Sequence, residues 1–148
     1  MARRVFFSFH YERDIWRANV VRNSWVTQDR EAAGFFDASL WEEAKKKGDA
    51  AIKSMIDNAL VGTSVTAVLI GAQTADRTYV KYEIDESIER GNGLFGVRIH
   101  KIEDKDGNTD SWGSNPLPTG YTVYDWKDDN GYTNFGSWVE TAARAAGK

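Results

Sequence analysis

Val65-Thr66-Ala67-Val68-Leu69-Ile70 carries no charge, and β-branched residues dominate it. Near-continuous apolar runs of this length suit strands buried on both faces, as parallel strands are when helices cover a sheet. Upstream, Val5-Phe6-Phe7-Ser8-Phe9 reads the same way, and downstream so does Leu94-Phe95-Gly96-Val97-Arg98-Ile99. Gly34-Phe35-Phe36-Asp37 and Tyr121-Thr122-Val123-Tyr124 are shorter strand candidates.

Helical patterns lie between these runs. Asp14 is placed to cap a helix reaching about Asn23. From about Asp49 to Leu60, Ile52, Ile56 and Leu60 make one stripe, with Ala51, Met55 and Ala59 beside it. Asp76 or Thr78 opens a further helix, with Val80, Ile84 and Ile88 inward and Gly91-Asn92-Gly93 closing it. A last helix starts near Thr133, with Phe135, Val139 and Ala142 inward. Trp16, Trp25, Trp126 and Trp138 read as packing residues, and Lys45-Lys46-Lys47 as a solvated helix face. Alternation of strands and helices predicts right-handed βαβ units and an α/β fold with a parallel, doubly wound sheet. The stretch from Lys101 to Gly120 holds both prolines and reads as a surface loop inside one domain spanning residues 1–148.

Composition narrows the function. At 148 residues, 41% of them hydrophobic, the chain is long enough for a core. A net charge of −3, with 19 basic and 22 acidic residues intermixed, offers no basic face for nucleic acid. Cysteine is absent, which removes thiolate catalysis and Cys-built metal sites, and with two histidines no metal site is expected. No apolar stretch approaches the ~18 residues that span a bilayer, and no signal-peptide pattern opens the chain. A soluble, cytoplasmic protein is expected.

In an open α/β sheet, ligands bind beyond the carboxyl ends of the strands. That edge should gather Ser8, Phe9, His10 and Tyr11 after the first strand, and Asp37 and Trp41 after the second. Tyr79, Tyr82 and Glu83 follow on the helix after Val65–Ile70. Such a set can hold a nucleotide without naming it. Neither G-x-G-x-x-G nor G-x-x-x-x-G-K-[ST] is present, so a Rossmann turn and a P-loop are not indicated. Val65–Ile70 ends without an aspartate, which argues against a phosphate-accepting receiver domain.

The blocks Arg3–Tyr11, Phe36–Glu42, Ser64–Gly71, Arg77–Ile84, Val123–Trp126 and Gly131–Phe135, taken in order, resemble the TIR-like domain of the bacterial Thoeris anti-phage system. That resemblance implies a flavodoxin-like/TIR three-layer fold around a central, mostly parallel five-stranded sheet. It also implies that NAD is the substrate, with no separate cofactor. Members of that family make a cyclic ADP-ribose-type signal, which activates a separate effector that depletes NAD. By the same resemblance, Glu83 is the catalytic carboxylate. TIR enzymes often carry a tryptophan four residues before it, and here Tyr79 stands there. Ser8, Phe9, His10, Tyr11, Asp37, Trp41, Tyr79 and Tyr82 become candidate substrate contacts, and the backbone amides after Ser8 could receive the diphosphate.

The chemistry suits one carboxylate. Nicotinamide leaves as a neutral group from a cation, and the sugar passes through an oxocarbenium-like state that a facing carboxylate stabilises. Attack by a hydroxyl of the bound ADP-ribose gives a cyclic product, whereas attack by water gives ADP-ribose. Two other classes compete with the enzyme: a non-catalytic TIR interaction module, and a receptor that binds a nucleotide without turnover. Self-association is compatible with all three, because TIR enzymes often complete their sites across an interface.

Overall fold

The computed structural model describes residues 3–26, 31–36 and 38–148. Strand β1 (Arg4–Ser8) leads into helix α1 (Tyr11–Val26), then come β2 (Glu31–Ala33), α2 (Ala38–Lys47) and α3 (Asp49–Leu60). β3 (Val65–Ile70) and a short 3-10 turn (Thr74–Asp76) precede α4 (Thr78–Glu89). β4 (Gly93–Arg98), β5 (Val123–Asp125) and α5 (Gly131–Ala145) complete the chain. The strands form a five-stranded sheet in the order β2-β1-β3-β4-β5, and every pairing is parallel. This is the flavodoxin-like order, with its switch point between β1 and β3.

Strand alternation sorts the side chains onto two faces. Val5 and Phe7 of β1 join Val65, Ala67 and Leu69 of β3 against α1 and α5, where Val21, Trp25, Phe135 and Val139 complete the larger core. Phe6 points the other way, onto Trp41, Ile52, Ile56 and Leu60 of α2 and α3. Val68 and Ile70 meet Val80 and Ile84 of α4. Ser8 shares the parity of Phe6, so its hydroxyl is delivered to the α4 side.

Several expectations change. Glu31–Ala33, not Gly34–Phe36, forms β2, and it is a three-residue edge strand. Gly34, at φ 93°, then turns the chain under β1, where a Cβ would lie 2.3 Å from the Phe7 carbonyl oxygen. Helix α1 begins three residues before Asp14, so Asp14 is not its cap. The His10 carbonyl accepts the Asp14 amide at 2.9 Å, and His10 Nδ1 accepts the Arg13 amide at 3.4 Å. Asp14 is instead a buried carboxylate beside Arg13, at 3.3 Å. Residues 38–41, read as the end of the second strand, open α2, whose last turn carries Lys45, Lys46 and Lys47 as an exposed helix face, and Gly48 at φ 107° separates α2 from α3. Trp25, Trp126 and Trp138 are buried, but Trp16 is 52% exposed, because it falls off the Asp14–Arg17–Ala18–Val21–Trp25 stripe of α1. Ile88 is 39% exposed, and Ser87 takes the inward place expected of it. Among the described residues, no helix is long and apolar enough to cross a membrane.

Candidate active site

Helix α4 buries Val80, Glu83, Ile84 and Ser87, an i, i+3, i+4, i+7 stripe that includes a carboxylate. Glu83 is 6% exposed, and its Oε1 accepts a hydrogen bond from the Ser8 hydroxyl at 2.7 Å. Burial pushes the Glu83 carboxyl up to about 8, while the Ser8 hydroxyl and the Arg77 guanidinium pull the other way. Burial disfavours the ionised form more than these two partners restore it. A glutamate at this edge of the sheet, neutral at rest and poised near physiological pH, is ready to change charge state.

Beside Glu83 lies a small cavity of about 10 Å³, walled by Phe9, Tyr11, Phe36, Trp41, Tyr79 and Arg77. Its aromatic rings hold one another in place. Phe36 stacks on Trp41 with centroids 5.9 Å apart, Tyr11 tilts onto Trp41 at 5.1 Å, and Tyr79 meets the same indole edge-on at 6.4 Å. The Tyr11 hydroxyl donates to the Phe36 carbonyl at 2.6 Å, and the Tyr79 hydroxyl donates to Asp49 at 2.8 Å. Trp41 Nε1 is buried without an acceptor among the described residues.

Arg77 and Tyr79 are also part of the wall of an outer cleft of about 640 Å³, together with His10, Glu12, Lys45 and Gln73. The inner cavity and the outer cleft therefore share a partition. The outer volume falls within the range of small-molecule sites, whereas the inner one has room for about a single water.

Of the residues singled out in the sequence, Ser8, Phe9, Tyr11, Trp41, Tyr79 and Glu83 come together. His10 faces only the outer cleft, where burial and then Arg77 hold its imidazole below its ordinary value. Tyr82 turns toward α3, donating to Asp57 at 2.7 Å, and lines neither cavity. One residue before Glu83 on a helix, it points about 100° away. Asp37 lies outside the described residues. Of the amides after Ser8, those of Arg13 and Asp14 are already taken by His10. Sequence reasoning missed Arg77, Glu12 and Lys45. Arg77 stands inside the quoted Arg77–Ile84 block, and its adjacency to Tyr79 was the available signal. Among the described residues, no group of three or more His, Asp or Glu is placed to hold a metal ion.

Residues 6–104 match the family model described as Thoeris protein ThsB, TIR-like domain. The chain belongs to the Thoeris TIR-like family. The matched span of this TIR-like domain runs from β1 through β4, so it contains Ser8, Trp41, Arg77, Tyr79 and Glu83. A protein of Bacillus cereus (strain MSX-D12), named "Putative cyclic ADP-D-ribose synthase ThsB1", is 42% identical over 94% of this chain and 100% of its own length. The alignment of the TIR-like chain with that relative therefore reaches beyond the span of residues 6–104.

Proposed function

We propose that this chain is an NAD-consuming enzyme that cleaves the nicotinamide–ribose bond and closes the remaining ADP-ribose into a cyclic signal for anti-phage defence. One observation carries the reading: a buried carboxylate, Glu83, held by Ser8 at the carboxyl edge of the sheet beside an aromatic pocket. The name of the Bacillus cereus relative supports the product class. An interaction module has no use for a buried acid at this position, since desolvating it costs stability.

The residues fit the chemistry in order. Nicotinamide riboside brings a positive charge, which draws Glu83 into its ionised form as it approaches. The aromatic wall must part to admit it, because the resting cavity is about 10 Å³ and a nicotinamide ring is larger. Tyr11, Trp41 and Tyr79 then offer ring faces to the base. The C1′–N bond breaks with its electron pair going to the nicotinamide nitrogen, and positive charge grows on the ribose facing Glu83. That carboxylate stabilises the charge electrostatically. A nucleophilic atom of the same ADP-ribose then bonds to C1′ and loses its proton, which a group titrating near 8 is suited to accept. Rings that re-close over the sugar exclude water and favour the cyclic product over hydrolysis. The whole chain acts as one catalytic domain in the cytoplasm, needs no resident cofactor, and sends its product to a separate effector. Self-association would complete this picture if the outer cleft is shared between copies.

The test is to incubate purified protein with NAD, alone and with lysate of phage-infected cells, and to measure free nicotinamide and product mass. The expected product weighs as NAD less nicotinamide. A product heavier by one water would mean hydrolysis. No nicotinamide under either condition would overturn the reading in favour of a binding role.

A further inference from the structure

We propose that Arg77 and Lys45 form the seat for the substrate's diphosphate, and that Glu12 occupies this seat in the resting protein and is displaced when the nucleotide binds. The inference rests on the reading of the chain as an NAD enzyme and goes beyond it, because it names the groups that select a dinucleotide.

Three elements converge here. Arg77 precedes α4, Lys45 sits on α2, and Glu12 lies in the first turn of α1. Glu12 Oε1 is 3.2 Å from the Arg77 guanidinium and 3.7 Å from the Lys45 ammonium, so one carboxylate bridges two cations. All three side chains line the outer cleft of about 640 Å³, and Arg77 alone among them also walls the cavity of Glu83. Asp76 lines the cleft as well but, among the described residues, forms no ion pair with either cation.

At rest Lys45 is divided between Glu12 and Glu42, whose Oε1 lies 3.3 Å away, whereas Arg77 pairs with Glu12. A nucleotide diphosphate carries two negative charges and several acceptor oxygens, and it fits the pair better than Glu12 does. Connectivity points to the same seat. In NAD the diphosphate is joined to the ribose through a single methylene, so its seat must border the sugar site. Arg77, standing in the partition between the two cavities, meets that requirement. Its guanidinium also lies over the Trp41 ring, 5.7 Å from the centroid, which fixes the direction of its donors.

The seat has a signature that a structural ion-pair network would not give: its members shift affinity in opposite directions. Kinetics of nicotinamide release should show KM for NAD rising about tenfold in Arg77→Ala and several-fold in Lys45→Ala. Glu12→Gln should lower KM about threefold, because the internal competitor is neutralised. In parallel, calorimetric titration of the Glu83→Gln protein, where turnover is removed, should show the same order for ADP-ribose. Nicotinamide riboside, which lacks the diphosphate, should bind alike to Glu83→Gln and to Glu83→Gln/Lys45→Ala. An unchanged KM in Lys45→Ala and Glu12→Gln, or a KM raised equally by both, would overturn the seat while leaving the enzyme intact. If the wild type releases no nicotinamide, the enzymatic reading fails separately, and ADP-ribose titrations of the wild type and the same variants still decide the seat.

Discussion

Helix α4 makes two buried polar contacts with the sheet, one turn apart, and they differ in a single respect. Ser87 meets Thr66 of β3 with the hydroxyl oxygens 2.7 Å apart, and also donates to the Glu83 carbonyl at 2.7 Å. Glu83 meets Ser8 of β1 at the same 2.7 Å. Both pairs occupy the inward stripe and both bridge helix to strand. The Ser87–Thr66 pair is neutral and satisfied, as a buried hydrogen bond in a core normally is. The Glu83–Ser8 pair holds an ionisable group whose charge a single hydroxyl cannot compensate, and it sits where the aromatic cavity begins. Burial alone does not mark a site here. A buried group left short of partners, beside space that a ligand can take, does.

The largest effect should come from breaking the charged contact. Glu83→Gln keeps the shape and a hydrogen-bond partner for Ser8 but removes the charge, so nicotinamide release should fall at least about a hundredfold. The same variant should be more stable than the parent at neutral and alkaline pH, as thermal unfolding would show. The sign follows from the raised value of the folded state. Below 4.5 the carboxyl is protonated folded or unfolded; between 4.5 and about 8 only the unfolded chain ionises readily. Across that window the parent loses stability relative to Glu83→Gln as pH rises, by up to about 1.4 kcal/mol per pH unit.

Ser8→Ala should act next. It withdraws the hydroxyl that lowers the Glu83 value, so kcat/KM at pH 7 should drop about tenfold and recover in part at higher pH. Recovery with pH would sharpen the contrast, because a purely structural serine gives none. Ser87→Ala should have the smallest effect on activity. It leaves Thr66 buried with one partner fewer and costs about 1–3 kcal/mol of stability in denaturant melts, with kcat/KM within about twofold of the parent.

Much of this was legible in the sequence. The apolar runs of β1, β3 and β4 announced a parallel sheet, because strands covered on both faces have no polar side to display. β2 was misplaced because an edge strand of Glu31-Ala32-Ala33 has almost no pattern, while the aromatics after it look like a strand. Those aromatics, Phe35 and Phe36, instead pack around the cavity and the core. Glu83 was singled out by the family resemblance alone, since the stripe read from the sequence was Val80, Ile84 and Ile88, and only the fold shows Glu83 and Ser87 turned inward. Tyr82 lies apart from the Glu83 cavity because neighbours in sequence on a helix face different ways. Arg77 and Lys45 were hidden because each is an ordinary surface cation until the fold brings both to Glu12.

In the proposed reaction Glu83 is a buried acid, neutral at rest, that must ionise to act on the sugar, and the pH dependence of nicotinamide release is the decisive measurement. kcat/KM, which reports the free protein, should rise about tenfold per pH unit up to a midpoint near 8. kcat, which reports the protein with the cationic substrate bound, should bend at a lower pH. A kcat/KM that stays level from acid pH through 8, or Glu83→Gln retaining the parent's rate, would contradict the account.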